Sequence, residues 1–162
     1  MDDMFSTGVI KVEELYKLNL APSRERMKKG PVVVVECVQE IPCDACVAAC
    51  PVNAITKQEI NLIPIVDFDK CKGCGSCLLA CPGLAIFLVD LSSSDGKGRV
   101  TVPYELLPVP DKGDEVVLLD RLGAPIGKGN VVKIVKGKNY TYAVTLEVDE
   151  DKVMDVRAFK VI

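Results

Sequence analysis

Apolar and polar positions change rhythm along the chain. Up to residue 30 they are mixed. Val12, Leu15 and Tyr16 fall on one side of a short amphipathic helix predicted over Val12–Leu18. The charged run Pro22–Gly30, with Arg24, Arg26, Lys28 and Lys29, predicts a surface turn, so residues 1–30 read as an N-terminal arm packed against the body or a partner. The β-branched run Val32–Val35 then predicts a buried strand. A short helix ending at Pro51 follows, then short strands at Ala54–Ile55 and Leu62–Val66, and another at Ala85–Val89. After residue 98 the pattern becomes strand-like throughout. Val100–Val102, Glu115–Leu119, Val131–Val135, Tyr140–Val148 and Val153–Val161 are the expected strands, with glycine-bearing turns between them.

The middle of the chain repeats itself. Cys-Pro-x-x-Ala-Ile occurs at 50–55 and again at 81–86. Two copies of one strand–loop–helix–strand unit predict a single domain over 31–91 with pseudo-twofold symmetry. Ser92–Gly98 is a linker by composition. Residues 99–162, with five short strands and tight turns, predict a small closed or half-closed all-β barrel. The turns around Gly113–Leu118 and Gly127–Val132 resemble those of SH3-like barrels. The expected fold class is therefore α+β: a two-copy domain followed by a small β-barrel.

Composition narrows the chemistry. The chain has 162 residues, of which only 5% are aromatic, so the core must come from aliphatic side chains. A net charge of −3 argues against nucleic acid and anionic membrane surfaces as partners. No window reaches the roughly 18 uncharged apolar residues of a membrane span. Met1–Met4 lacks a basic, apolar leader, so a cytoplasmic location is expected. There is no histidine, which removes histidine-based nucleophile pairs, zinc–histidine sites and Rieske centres. All eight cysteines lie between Cys37 and Cys81. That clustering, in a chain expected to be cytoplasmic, points to metal rather than to a disulfide framework.

The second cysteine group reads Cys71-x2-Cys74-x2-Cys77-x3-Cys81-Pro82. Three thiolates at this spacing wrap one corner of a compact cluster. Gly73 and Gly75 let the loop curl and bring N–H groups near the sulfurs. The first group, Cys37-x5-Cys43-x2-Cys46-x3-Cys50-Pro51, follows the same pattern from Cys43 onward. Its first interval is enlarged from two residues to five. Cys37 is reached by position after a strand and by count, eight cysteines for eight ligand places. A [3Fe–4S] cluster or another fourth ligand remains open there. Structural zinc is the weaker reading, because such sites use two separated C-x2-C pairs. Asp67 and Asp69 read as turn residues. The acidic residues Glu36, Glu40, Asp44, Glu59, Asp67, Asp69 and Asp90 read as a solvated rim, with docking to a basic partner as the alternative.

Residues 31–90 resemble a bacterial-type ferredoxin with two [4Fe–4S] clusters. Asp69–Cys77 and the two Cys-Pro-x-x-Ala-Ile segments carry the resemblance. It implies crossed ligation: Cys37, Cys43, Cys46 and Cys81 around one cluster, and Cys71, Cys74, Cys77 and Cys50 around the other. The loop Glu40–Cys46 is similar to that of ferredoxin-like small subunits of multi-subunit flavin-dependent dehydrogenases acting on amino acids, amines or glycerol phosphate. This implies an electron-transfer subunit with no catalytic residues of its own, in a hetero-oligomer with a flavoprotein or other oxidoreductase subunits. A freely diffusing ferredoxin and a redox-sensing binding module are the alternative readings.

Overall fold

The computed structural model describes residues 2–162; Met1, the first residue of the expected arm, lies outside them. Three short helices open the chain: α1 (Asp2–Thr7), α2 (Val12–Lys17) and α3 (Arg24–Met27). α2 is the amphipathic helix expected, with Leu15 fully buried. α3 lies where a surface turn was expected. Ser23 starts it, its Oγ accepting a 3.2 Å hydrogen bond from the Arg26 N–H.

This segment is part of the core. Leu15, Leu20 and Met27 are among the most deeply buried side chains in the molecule, and Ile10 and Ala21 are buried with them. Burying each of the large aliphatic side chains contributes about 1.5–3 kcal/mol. The arm also covers a sheet edge. Val35 donates its N–H to Leu20 O at 2.9 Å, and Leu91 donates to Met27 O at 2.9 Å.

The two-copy region follows as β1 (Val32–Val35), α4 (Ala45–Ala49), β2 (Ile55–Thr56), β3 (Ile65–Val66), α5 (Ser76–Ala80) and β4 (Ile86–Asp90). β2 and β3 form a small antiparallel ribbon, and β1 pairs antiparallel with β4. All four valines of β1 are fully buried, because the strand is covered on both faces.

The C-terminal strands are β5 (Lys97–Tyr104), β6 (Glu115–Leu119), β7 (Pro125–Lys136), β8 (Tyr142–Asp149) and β9 (Ala158–Val161). With β1 and β4 they make one antiparallel sheet in the order β1-β4-β5-β8-β7-β6-β9. The expected linker is only a turn, since Lys97 and Gly98 already belong to β5, which pairs with β4. The long strand expected over Val153–Val161 is confined to its last four residues. A 3-10 turn at Glu150–Lys152 precedes it, and Val156 donates its N–H back to Lys152 O. Val153 and Val156 are buried at this corner rather than along a strand. The Tyr104 ring on β5 stacks on Phe159 of β9 with centroids 4.5 Å apart, so the outer strands of the five-strand set curl toward each other. Among the described residues no helix is long and apolar enough to cross a membrane.

Candidate metal centres

The two Cys-Pro segments adopt the same local structure. Each begins at the end of a short helix, at Cys50 after α4 and at Cys81 after α5. Three residues on, Asn53 and Leu84 both take left-handed backbone conformations, each with φ of 51°. That reversal turns the next N–H back on the cysteine. Ala54 donates to Cys50 Sγ at 3.2 Å, and Ala85 donates to Cys81 Sγ at 3.5 Å. The sequence repeat is thus a repeat of N–H···S geometry.

The second loop is shaped by its glycines. Gly73 and Gly75 have φ of 63° and 81°. A Cβ on Gly73 would collide with the Pro31 carbonyl, so the site needs both the left-handed backbone and the missing side chain. Gly73 donates its N–H to Cys71 Sγ at 3.4 Å. Arg26 anchors the same loop from the arm. Its Nε donates to Phe68 O at 2.8 Å, and its guanidinium also donates to Cys71 O at 2.8 Å and to Gly30 O at 3.1 Å. Asp67 is the turn residue expected. Its carboxylate accepts the N–H groups of Asp69 and Lys70 at 3.2 Å each.

The eight thiols fall around two cavities. Cys37, Cys43, Cys46 and Cys81 line the larger, of about 420 Å³. Cys50, Cys71, Cys74 and Cys77 line the smaller, of about 10 Å³. Each Cys-Pro cysteine therefore faces the cavity of the other cysteine group. Among the described residues no three His, Cys, Asp or Glu side chains converge closely enough to hold a single metal ion. The thiols surround a space rather than a point.

The electrostatics of the free thiols follow from this crowding. Burial, with the neighbouring Cys71, Cys74 and Cys50, pushes the Cys77 thiol up to about 12. Burial also raises Cys37 and Cys46, with Cys81 adding to both. At Cys50 burial acts in the same sense, but the N–H groups of Val52, Ala54, Ile55 and Asn53 outweigh it and the thiol is lowered. Four thiolates in one cavity need a compensating cation. Iron held by these cysteines would supply it, since a coordinating thiol is deprotonated outright. Four thiols per cavity, with backbone N–H groups on the sulfurs of Cys50, Cys71 and Cys81, are the donor set of a cubane cluster.

One feature of the larger cavity has no counterpart in the cysteine motif. Glu36, expected on an acidic rim, is instead clamped by two arginines from the C-terminal half. Arg121 donates to it in a bidentate fork at 2.7 and 3.2 Å, and Arg157 Nε donates at 2.6 Å. Arg157 also donates to Val153 O and Val156 O and lies over the Phe87 ring, 4.9 Å from its centroid. Their isolated positions in the sequence carry no sign of this. Arg26 had one local signal, the N-capping Ser23 three residues before it.

A family model described as a 4Fe-4S dicluster domain matches residues 36–85. The ferredoxin-type protein NapF of Haemophilus influenzae is 38% identical over 68 residues, covering 39% of each chain. The polyferredoxin-like subunit of an aliphatic sulfonate oxidoreductase from Pyrococcus furiosus is 49% identical over 47 residues, 29% of this chain and 27% of that one. The respiratory nitrate reductase 1 beta chain of Escherichia coli is 46% identical over 43 residues, 26% of this chain and 8% of that one. The chain thus spans less than half the length of these relatives. No solved structure matches it. The cysteine spacing, the paired N–H···S turns and the family match agree: residues 36–85 are a 4Fe-4S dicluster domain of bacterial ferredoxin type, the kind that carries two [4Fe–4S] clusters.

Proposed function

We propose that the protein is an electron-transfer iron–sulfur subunit that relays single electrons through two [4Fe–4S] clusters inside a larger oxidoreductase. Cys37, Cys43, Cys46 and Cys81 hold one cluster, and Cys71, Cys74, Cys77 and Cys50 hold the other. The observation that carries this reading is the exchange of Cys50 and Cys81 between the two thiol-lined cavities. Helices α4 and α5, which bear these cysteines at their ends, pack on each other, so the two sites are neighbours. Each cluster, when bound, stores and releases one electron at little structural cost. The chain's own contribution is to exclude water around Cys77, donate N–H groups to the sulfurs and leave Cys74 exposed as a point of access.

The larger assembly is supported by two features. Relatives over the cluster region include chains named as parts of an aliphatic sulfonate oxidoreductase and of a respiratory nitrate reductase. Residues 99–162 go beyond what the cluster domain needs. The order β5-β8-β7-β6-β9, the 3-10 turn before β9 and the Tyr104–Phe159 stack favour an SH3-like barrel for this part. The arm 1–30, the cluster domain 31–91 and the barrel 99–162 are its proposed units. A flavin-dependent dehydrogenase as the parent enzyme rests on the Glu40–Cys46 loop alone.

Native purification tests both levels. The expected result is co-elution with an oxidoreductase partner, with about eight irons per chain for two cubanes, and with flavin if the dehydrogenase reading holds. Elution as a monomer near 17.5 kDa refutes the subunit reading. Zinc in place of iron refutes the cluster reading.

A further inference from the structure

The two cavities differ in charge. The smaller one has a single charged residue in its lining among the described residues, the exposed Lys72. The larger one is lined by Glu36, Arg121, Arg157 and Lys57 as well as its four cysteines. Lys57 Nζ donates to Cys43 O at 2.5 Å and to Ile60 O at 3.1 Å, so its charge is tied to the cysteine loop. Glu36 directly precedes Cys37, and its N–H donates to Ala85 O at 2.7 Å. Ala85 in turn donates its N–H to Cys81 Sγ. One glutamate against two arginines leaves a net positive charge in the wall of the cavity that the four thiols line. The side chains of Glu36, Arg121 and Arg157 are only 11%, 12% and 4% exposed, so solvent screens them weakly.

We propose that Arg121 and Arg157 set the reduction potential of the cluster held by Cys37, Cys43, Cys46 and Cys81, raising it relative to the cluster held by Cys50, Cys71, Cys74 and Cys77. The proposal rests on the ligand assignment above. Reduction adds one negative charge to a cluster. A fixed positive charge in a weakly screened wall favours the reduced form, and net charge is one of the factors that set such potentials. Glu36 has two roles here. It holds the arginines in place and offsets one of their charges. The C-terminal strands then do more than tether the cluster domain, because both arginines come from them. The enlarged Cys37–Cys43 interval, which departs from the ferredoxin spacing, lies in the lining of the same cavity.

The test is a redox titration of the intact, cluster-loaded chain, with dithionite as the electron source and EPR as the readout. The signal missing in Cys37→Ser identifies the cluster in question. In Arg121→Gln the reduced-to-oxidised ratio of that cluster at fixed potential should fall on the order of tenfold, equivalent to about 59 mV for one electron. In Glu36→Gln the shift should go the opposite way, toward easier reduction. Arg121→Lys, which keeps the charge, should restore the wild-type ratio. The second cluster should not move in any of these variants. A merely structural role would not give shifts of opposite sign. Equal potentials in all variants, or shifts of the same sign in Arg121→Gln and Glu36→Gln, overturn the proposal. Movement of both clusters together does so as well. Failure of the ligand reading looks different: Cys37→Ser would then retain both signals.

Discussion

Arg157 Nε donates a 2.6 Å hydrogen bond to Glu36 Oε1, joining residues 121 positions apart, one at the mouth of a cysteine loop and one at the corner before β9. The guanidinium is buried among two backbone carbonyls, the Met154 sulfur and the Phe87 ring. Arg157→Met removes one of the two donors to Glu36 and leaves the Val153 and Val156 carbonyls without the guanidinium. It should cost about 3–5 kcal/mol, the range for breaking a buried ion pair from one side. Arg121 still holds Glu36, which places the loss at the lower end. Urea unfolding of the cluster-loaded protein measures it. A loss below about 1 kcal/mol, typical of an exposed pair, would show that this pair does not secure the C-terminal strands to the cluster domain.

Cys37 stands at the one place where the spacing departs from the ferredoxin pattern, yet it lines the same cavity as Cys43, Cys46 and Cys81. Cys37→Ser should lower the iron content from about eight per chain toward four, while Cys71→Ser removes the other cluster instead. Iron and sulfide assays on the two variants, with their EPR spectra, check this. Unchanged iron in Cys37→Ser would assign the fourth ligand elsewhere.

Gly73→Ala combines a left-handed backbone with a Cβ in hard contact with Pro31. The strain should be relieved by moving the Cys71–Cys77 loop, at a cost on the order of 1–3 kcal/mol. The variant should therefore lose the cluster in that loop first, seen as slower loading and faster loss to a chelator. Gly83→Ala is the control, since no atom lies within 4 Å of a Cβ there and its φ is ordinary.

In the cluster-free chain the raised thiol of Cys77 gives a pH dependence of definite sign. Its folded value of about 12 lies above the ordinary value of 9.0. The folded state holds the proton more tightly, so this contribution to stability is intact below pH 9 and is lost as pH rises toward 12. Thermal unfolding of the stripped protein should show a falling midpoint across that window. Alkylation should modify Cys50, whose thiol is lowered, well before Cys77. Cluster loading runs the other way, because the thiolate is the ligand, and it should be favoured by rising pH. Equal alkylation rates at the two cysteines would contradict the burial of Cys77.

Much of the architecture is legible in local pattern. Val32–Val35 reads as a buried strand because an uninterrupted β-branched run fits little else. The doubled Cys-Pro-x-x-Ala-Ile segment reads as a structural repeat, and its two copies share both the left-handed third residue and the returning N–H. Other elements are not legible. Val153–Val161 has the composition of a strand. Its first half is turned into a corner because Val153 and Val156 bury inward and Arg157 donates its N–H to Leu119 O. The arm reads as peripheral because its charges dominate its few apolar residues, yet Leu15, Leu20 and Met27 are core.

The sequence by itself determined the two-cluster chemistry, since cysteine number and spacing are properties of a short stretch of chain and a cluster is wrapped by short loops. Only the tertiary structure decided the environment of those clusters. Glu36, Arg121 and Arg157 meet because β1, β4 and β5 share a sheet with β6 and β9, and strand pairing brings distant residues together without leaving a local mark. The ligands lie in the motif, and the charge beside them comes from the fold.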